Sequence, residues 1–141
     1  MKLRLATMDD CEILFQWRND LPTRLASHHT APIGIEEHKD WLSKTLDDPK
    51  RKLYIAELGG KPVGTLRTDN SDGVAEISWT VAPAHRGKGI GKLMVGTLAE
   101  AISGPIRAEV KSQNVASMRI AESAGMRLER TDGDIHHFRR G

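Results

Sequence analysis

Apolar and polar residues alternate most regularly between Gly73 and Val81, with Ala75, Ile77, Trp79 and Val81 on one face and Glu76, Ser78 and Thr80 on the other. This period of two predicts a strand over 73–81 with one face in a core. A stripe at helical spacing follows, made of Ile90, Leu93, Met94, Leu98, Ala101 and Ile102, and predicts a helix over 90–102. The same reading gives a strand at 2–6, a helix at about 9–19, a loop, a helix at about 35–47, and hairpin strands near 52–58 and 62–69. Beyond residue 102 it predicts a strand at 105–111, a helix at 114–124, and closing strands near 126–131 and 134–140. Gly59-Gly60 and Asn70-Ser71-Asp72-Gly73 mark turns, and Gly125 marks a helix C-terminus. No linker or repeat interrupts the run, which is expected to form one α/β domain over 1–141.

Composition narrows the classes of function. The 141 residues fit one domain with a real core, and 38% apolar with 28% charged residues describe an ordinary globule. Formal charge is 21 − 19 = +2, too small to argue for a nucleic-acid or anionic-membrane partner. Aromatics are only 4%, which also disfavours a nucleic-acid-binding face. The basic excess is local, around 86–92 and 127–140, and the latter run reads as a solvated edge. A single cysteine, Cys11, excludes an internal disulfide, and its place beside Leu14 and Phe15 on the first helix makes it a core residue. With no run long enough for a signal peptide or a membrane span, a cytoplasmic protein is expected.

The chemistry gathers between the strand 73–81 and the helix that opens at Ile90. There Arg86, Gly87, Lys88, Gly89, Ile90, Gly91 and Lys92 form a glycine-rich turn, the usual design of a phosphate cradle. Glycines let the backbone approach an anion, main-chain N–H groups converge on it, and the helix N-terminus adds partial positive charge. Arg86, Lys88 and Lys92 carry the same sign. A P-loop is excluded because Leu93 follows Gly91-Lys92 where Ser or Thr is needed, and Arg86 stands where the earlier Gly belongs. A dinucleotide fingerprint would need its third glycine at Lys92. What remains is Arg-x-x-Gly-x-Gly at Arg86, Gly89 and Gly91, which resembles the acetyl-CoA pyrophosphate loop of the GNAT superfamily of N-acetyltransferases. The order of strand, loop, helix, strand, and a helix from Asn114 to Gly125 extends the resemblance over nearly the whole chain.

That resemblance implies the GNAT fold, a mixed and mostly antiparallel central sheet splayed at its middle and flanked by helices. It implies acetyl-CoA as cosubstrate, no metal, and direct transfer to an amine, since the only candidate for a covalent intermediate, Cys11, lies far from the loop. The backbone of Trp79 to Val81 would pair with the pantetheine arm as a missing strand does, and the Val81 N–H would stabilise the developing oxyanion. Asn114-x-x-Ser117 is the second family signature. Asn114 is also a good N-cap. Many superfamily members carry a Tyr seven residues after this Asn as the acid for the departing thiolate, and here that position is Ala121. Ser117 is the candidate acid, its other reading being a hydroxyl bonded to the preceding turn. Glu76, on the polar side of the donor strand, is the candidate base, with an exposed strand carboxylate as the alternative.

Acceptor choice belongs to the first two helices and their connection. Trp17, Arg18 and Asn19 there lead to His28 and His29, then to His38 and Trp41. His38 reads as a packed helix histidine, His28, His29 and His85 as exposed. The pattern resembles two GNAT branches, one acetylating protein N-termini and one acetylating the 4-amino group of nucleotide-linked amino-deoxy sugars. The sugar branch is preferred, with Trp17, Arg18, Asn19, His28 and His29 as acceptor residues. The expected partner is a small-molecule or peptide amine, with no nucleic acid and no membrane, and the chain acts as a monomer or homodimer. A non-catalytic acetyl-CoA sensor is the alternative of a different class.

Overall fold

The computed structural model describes residues 1–141. In chain order the elements are β1 (Lys2–Leu5), α1 (Cys11–Asn19), α2 (Leu21–Ala26), α3 (Ile35–Asp47), β2 (Arg51–Leu58), β3 (Lys61–Ser71) and β4 (Val74–Val81). They continue as α4 (Ile90–Ala101), β5 (Ile106–Lys111), α5 (Val115–Ser123), β6 (Arg127–Asp132) and β7 (Ile135–Arg140). The expected strands and helices are all present. The segment read as a loop after residue 19 contains α2, a short helix started by Asp20, whose Oδ2 accepts from the Thr23 N–H at 3.3 Å, with Pro22 in its first turn. No helix is long and apolar enough to cross a membrane.

The seven strands form one sheet in the order β1-β2-β3-β4-β5-β7-β6. Every neighbouring pair is antiparallel except β4 and β5, which run parallel and meet only at Ala75–Ile106 and Glu76–Arg107. Beyond Glu76 the two strands diverge, so the expected splay lies at the sheet's centre. Alternation along β2 sends Leu53 and Ile55 to one face, where they pack with Leu14, Trp17 and Leu42 of α1 and α3. Ala56 faces the other side and joins Leu66, Ala75, Ile77, Ile106 and Phe138 under α4 and α5.

In α4 the buried stripe is Ile90, Met94, Val95, Leu98 and Ala99, while Leu93 is 44% exposed and Ala101 is also exposed, correcting the stripe read from spacing. Two glycines account for the rotation. A Cβ at Gly91 would lie 2.6 Å from Ile120 Cδ1 and 3.3 Å from Val81 Cγ2, so the first turn of α4 presses on α5 and the end of β4. Opposite it, a Cβ at Gly64 on β3 would lie 2.6 Å from Met94 Cε and 2.6 Å from the Thr80 carbonyl oxygen. The Thr80 carbonyl is backbone and cannot move aside. Gly64→Ala is therefore expected to destabilise the fold by about 1–3 kcal/mol, read as a lower midpoint in urea unfolding, and an unchanged midpoint would contradict this packing.

Candidate active site

β4 ends at Val81, and a 3-10 turn over Pro83–His85 leads into the glycine loop. Gly87 and Gly89 adopt φ of +75° and +76°, a left-handed conformation that turns the chain sharply into α4 with Gly89 as its N-cap. No backbone N–H from Arg86 through Lys92 has an acceptor within the protein. A Cβ built at Gly87 or Gly89 would meet nothing within 4 Å, so the loop faces open space. A run of free N–H donors at a helix N-terminus, with the exposed and unpaired Lys88 and Lys92 beside it, suits a phosphate group. Arg86 is engaged elsewhere. Its Nη2 lies 2.8 Å from Asp20 Oδ2 and 2.8 Å from Thr23 Oγ1, which ties the loop to α2 and largely cancels its charge. Desolvation opposes ionisation of Asp20, but the Arg86 and Thr23 hydrogen bonds prevail and hold its carboxyl below the usual range.

The splay supplies a second row of free backbone groups. Ala75 donates its N–H to Pro105 on the β5 side at 3.1 Å, and Ala82 donates to Val63 on the β3 side at 2.8 Å. Strand alternation then turns the N–H groups of Trp79 and Val81 toward the gap, where β5 no longer pairs with β4. The side chains of Trp79 and Val81 pack against the core, as their apolar character predicts, and the buried Trp79 Nε1 has no hydrogen-bond partner. Across the gap, Asn114 Oδ1 accepts from the Ser117 N–H at 3.1 Å and caps α5. The half-buried Ser117 hydroxyl makes no hydrogen bond within the protein, so it is not held by the preceding turn. Ala121 is fully buried in the core.

On the opposite face of the sheet from α4, Glu76 sits where β4 and β5 begin to part. Arg107 Nε donates to its Oε1 at 3.1 Å, Asp69 lies directly across β3, and Glu109 lies one pair further along β5. Glu76, Arg107, Glu109, Arg130 and His137 line a cleft of about 280 Å³. Burial first, and then the neighbouring Glu109, push the Glu76 carboxyl above the ordinary carboxylate range, with Arg107 opposing them. Glu109 and Arg107 escaped notice in the sequence. Their signal was the alternation of 105–111, which sets Arg107, Glu109 and Lys111 against the buried Ile106, Ala108 and Val110.

The acceptor residues divide. Trp17 is buried with Leu14 and Leu42, Asn19 clasps the backbone of Ile33 through both its amide atoms at 2.8 Å, and both residues line a cleft of about 490 Å³ together with Asp20, Pro83 and His85. Cys11 is half-buried against the same cluster. His28 reaches Glu109 at 3.7 Å, and Lys111 Nζ donates to the Leu25 carbonyl at 3.0 Å, which together draw α2 and its following loop over the β5 side of the cleft. His29 is exposed. Arg18 lies over the Trp41 ring at 4.4 Å from its centroid. His38 is fully buried between Phe15 and Trp41, with Nε2 3.0 Å from the Cys11 carbonyl, and burial lowers its pKa so that it packs as a neutral ring.

Among solved structures, the aminoglycoside acetyltransferase AAC(6')-Ib in complex with coenzyme A and kanamycin superposes with a TM-score of 0.85 at 22% identity, covering 99% of this chain and 93% of that one. Spermidine N-acetyltransferase from Vibrio cholerae, in complex with CoA and spermine, gives 0.86 at 16% identity over 99% and 94%. Ribosomal-protein-alanine N-acetyltransferase from Brucella melitensis gives 0.81 at 22% identity over 99% of each chain. These likenesses establish the fold. Residues 12–126 match the model of the acetyltransferase (GNAT) family, and with the glycine loop and the splay between β4 and β5 lying inside that match, the chain belongs to the GNAT family of acetyltransferases.

Proposed function

We propose that this protein moves an acetyl group from acetyl-CoA directly to a primary amine, with the 4-amino group of a nucleotide-linked amino-deoxy sugar as acceptor. The observation that carries the reading is the unpaired N–H run from Arg86 through Lys92 together with the N–H groups of Trp79 and Val81 facing the gap in the preceding strand. One row suits a pyrophosphate and the other an amide-bearing arm, so the residues present fit acetyl-CoA. Bound there, acetyl-CoA supplies an acyl group already activated as a thioester.

The chain's own groups then divide the work. Glu76 takes the proton from the acceptor ammonium, leaving a neutral nitrogen to form the new C–N bond. The Val81 N–H stabilises negative charge on the carbonyl oxygen. As the C–S bond breaks, the nitrogen of the new C–N bond gives up its remaining extra proton and the free Ser117 hydroxyl relays one to the departing thiolate, so that the products are the amide and the CoA thiol. An alkyl thiol ionises near pH 8.5 or so, so its anion leaves readily and loss of Ser117 is expected to be mild. Ser117→Ala should keep turnover within about tenfold of the parent, on the scale where 1.4 kcal/mol is one decade, and a far larger fall would give Ser117 a heavier role.

A peptide N-terminus is the second reading of the acceptor, favoured by the full-length fold match to the Brucella ribosomal-protein-alanine enzyme. The test is mass spectrometry of products after incubation with acetyl-CoA and a panel of a nucleotide-linked 4-amino sugar, N-terminal peptides, polyamines and free amino acids. Acetylation of the sugar nucleotide supports the first reading. Acetylation of peptides alone replaces it with the second, and intact acetyl-CoA binding with no product anywhere favours a sensor.

A further inference from the structure

Two arginines converge on one aromatic ring beside the cleft, and the acetyl transfer steps proposed above give neither of them a role. Arg18 of α1 lies 4.4 Å from the Trp41 ring centroid and Arg67 of β3 lies 6.0 Å from it. Arg18 is half-buried, yet no carboxylate comes within 4 Å, and its one polar contact is the ring nitrogen of His38 at 3.4 Å. The acid whose charge acts on it is Glu37, one turn before Trp41. Arg67 gives only its Nε, at 2.9 Å, to Asp69, whose other oxygen lies 3.1 Å from Arg51, a guanidinium shared in turn with Asp48 at 3.7 Å. The terminal nitrogens of Arg67 are left without a protein partner.

Partly desolvated like charges held against one indole are unfavourable unless something negative completes them. Guanidinium forks pair with phosphate oxygens in a two-pronged geometry that no other side chain provides. The register fixes where such a group would stand. Arg67 pairs with Ser78 across β3 and β4, and Asp69 pairs with Glu76, so Arg67 sits one same-face position, about 7 Å, from the base.

We propose that Arg18 and Arg67, braced by Trp41, form an oxyanion subsite for the acceptor, and that the substrate is an amine that also carries a phosphate. The inference rests on the amine-acetylating reading above and sharpens it: carboxylates Glu76 and Glu109 meet the ammonium, and the arginines meet the phosphate.

The test compares Arg18→Gln and Arg67→Gln with the parent on a nucleotide-linked 4-amino sugar and on the same 4-amino sugar without its nucleotide. KM for the phosphate-bearing acceptor should rise about tenfold or more, kcat should hold, and KM for the phosphate-free sugar should stay the same. Equal effects on both acceptors, or an unchanged KM for the phosphate-bearing one, would overturn the subsite. If the parent acetylates neither sugar, the acceptor reading fails on its own. The subsite is then read by calorimetry of a nucleoside diphosphate on protein saturated with acetyl-CoA. Binding that Arg18→Gln abolishes sustains it, and no binding overturns it.

Discussion

Gly89→Glu is expected to abolish CoA binding while leaving the protein folded. Gly89 caps α4 at φ +76°, in the middle of the free N–H run, and open space lies over it. A glutamate there places a carboxylate in the volume a pyrophosphate needs, repels it as a like charge, and itself takes up the positive end of the helix. The left-handed backbone costs a non-glycine residue about 1–2 kcal/mol, enough to lower the melting temperature without unfolding the chain. Calorimetry should record a loss of at least about a hundredfold in affinity, or some 2.7 kcal/mol. Gly89→Ala is the control, since it carries the same backbone strain without the charge and its side chain ends at the Cβ, so it should retain most of the binding. Retained micromolar affinity in Gly89→Glu would refute the loop as the CoA site.

Glu76→Gln is expected to lower kcat at neutral pH by about a hundredfold to ten-thousandfold, the range for removal of a general base. The deficit should shrink as pH rises, because the acceptor amine then reaches the site already neutral. As the proposed base Glu76 would have to be ionised to act, and burial together with Glu109 raises its pKa. The acid limb of the pH–rate profile should accordingly lie above the ordinary carboxylate range. Replacing Glu109 by glutamine removes the like charge, lowers the Glu76 pKa, and moves that limb to lower pH, whereas loss of Arg107 should move it upward. A profile unchanged in all three variants would remove Glu76 as the base.

The strand-to-helix junction was legible in the sequence because its signals are local. The alternation of 73–81 and the spacing of Gly87, Gly89 and Gly91 lie within a span of neighbours, and the backbone there does what those residues dictate. Interactions between distant segments were not legible. Arg86 looked like loop charge, but its partner, Asp20, belongs to a helix far away in the chain. Nor does the sequence mark which way a polar or aromatic residue near a helix end faces: Trp17 is buried in the core and Asn19 clasps Ile33, contacts that span distant segments. Glu109 and Arg67 matter only once β3, β4 and β5 are set in register, and Gly64 only once Met94 lies across it.

The most direct test of the central claim follows free thiol released from acetyl-CoA by the unmodified protein, with and without a saturating primary amine. Direct transfer predicts steady thiol release that requires the amine, with acetylated amine formed in equal amount, and no release by the protein alone. Thiol released in a burst without amine would contradict direct transfer, and CoA bound at the loop with no thiol released for any amine would contradict the enzyme itself.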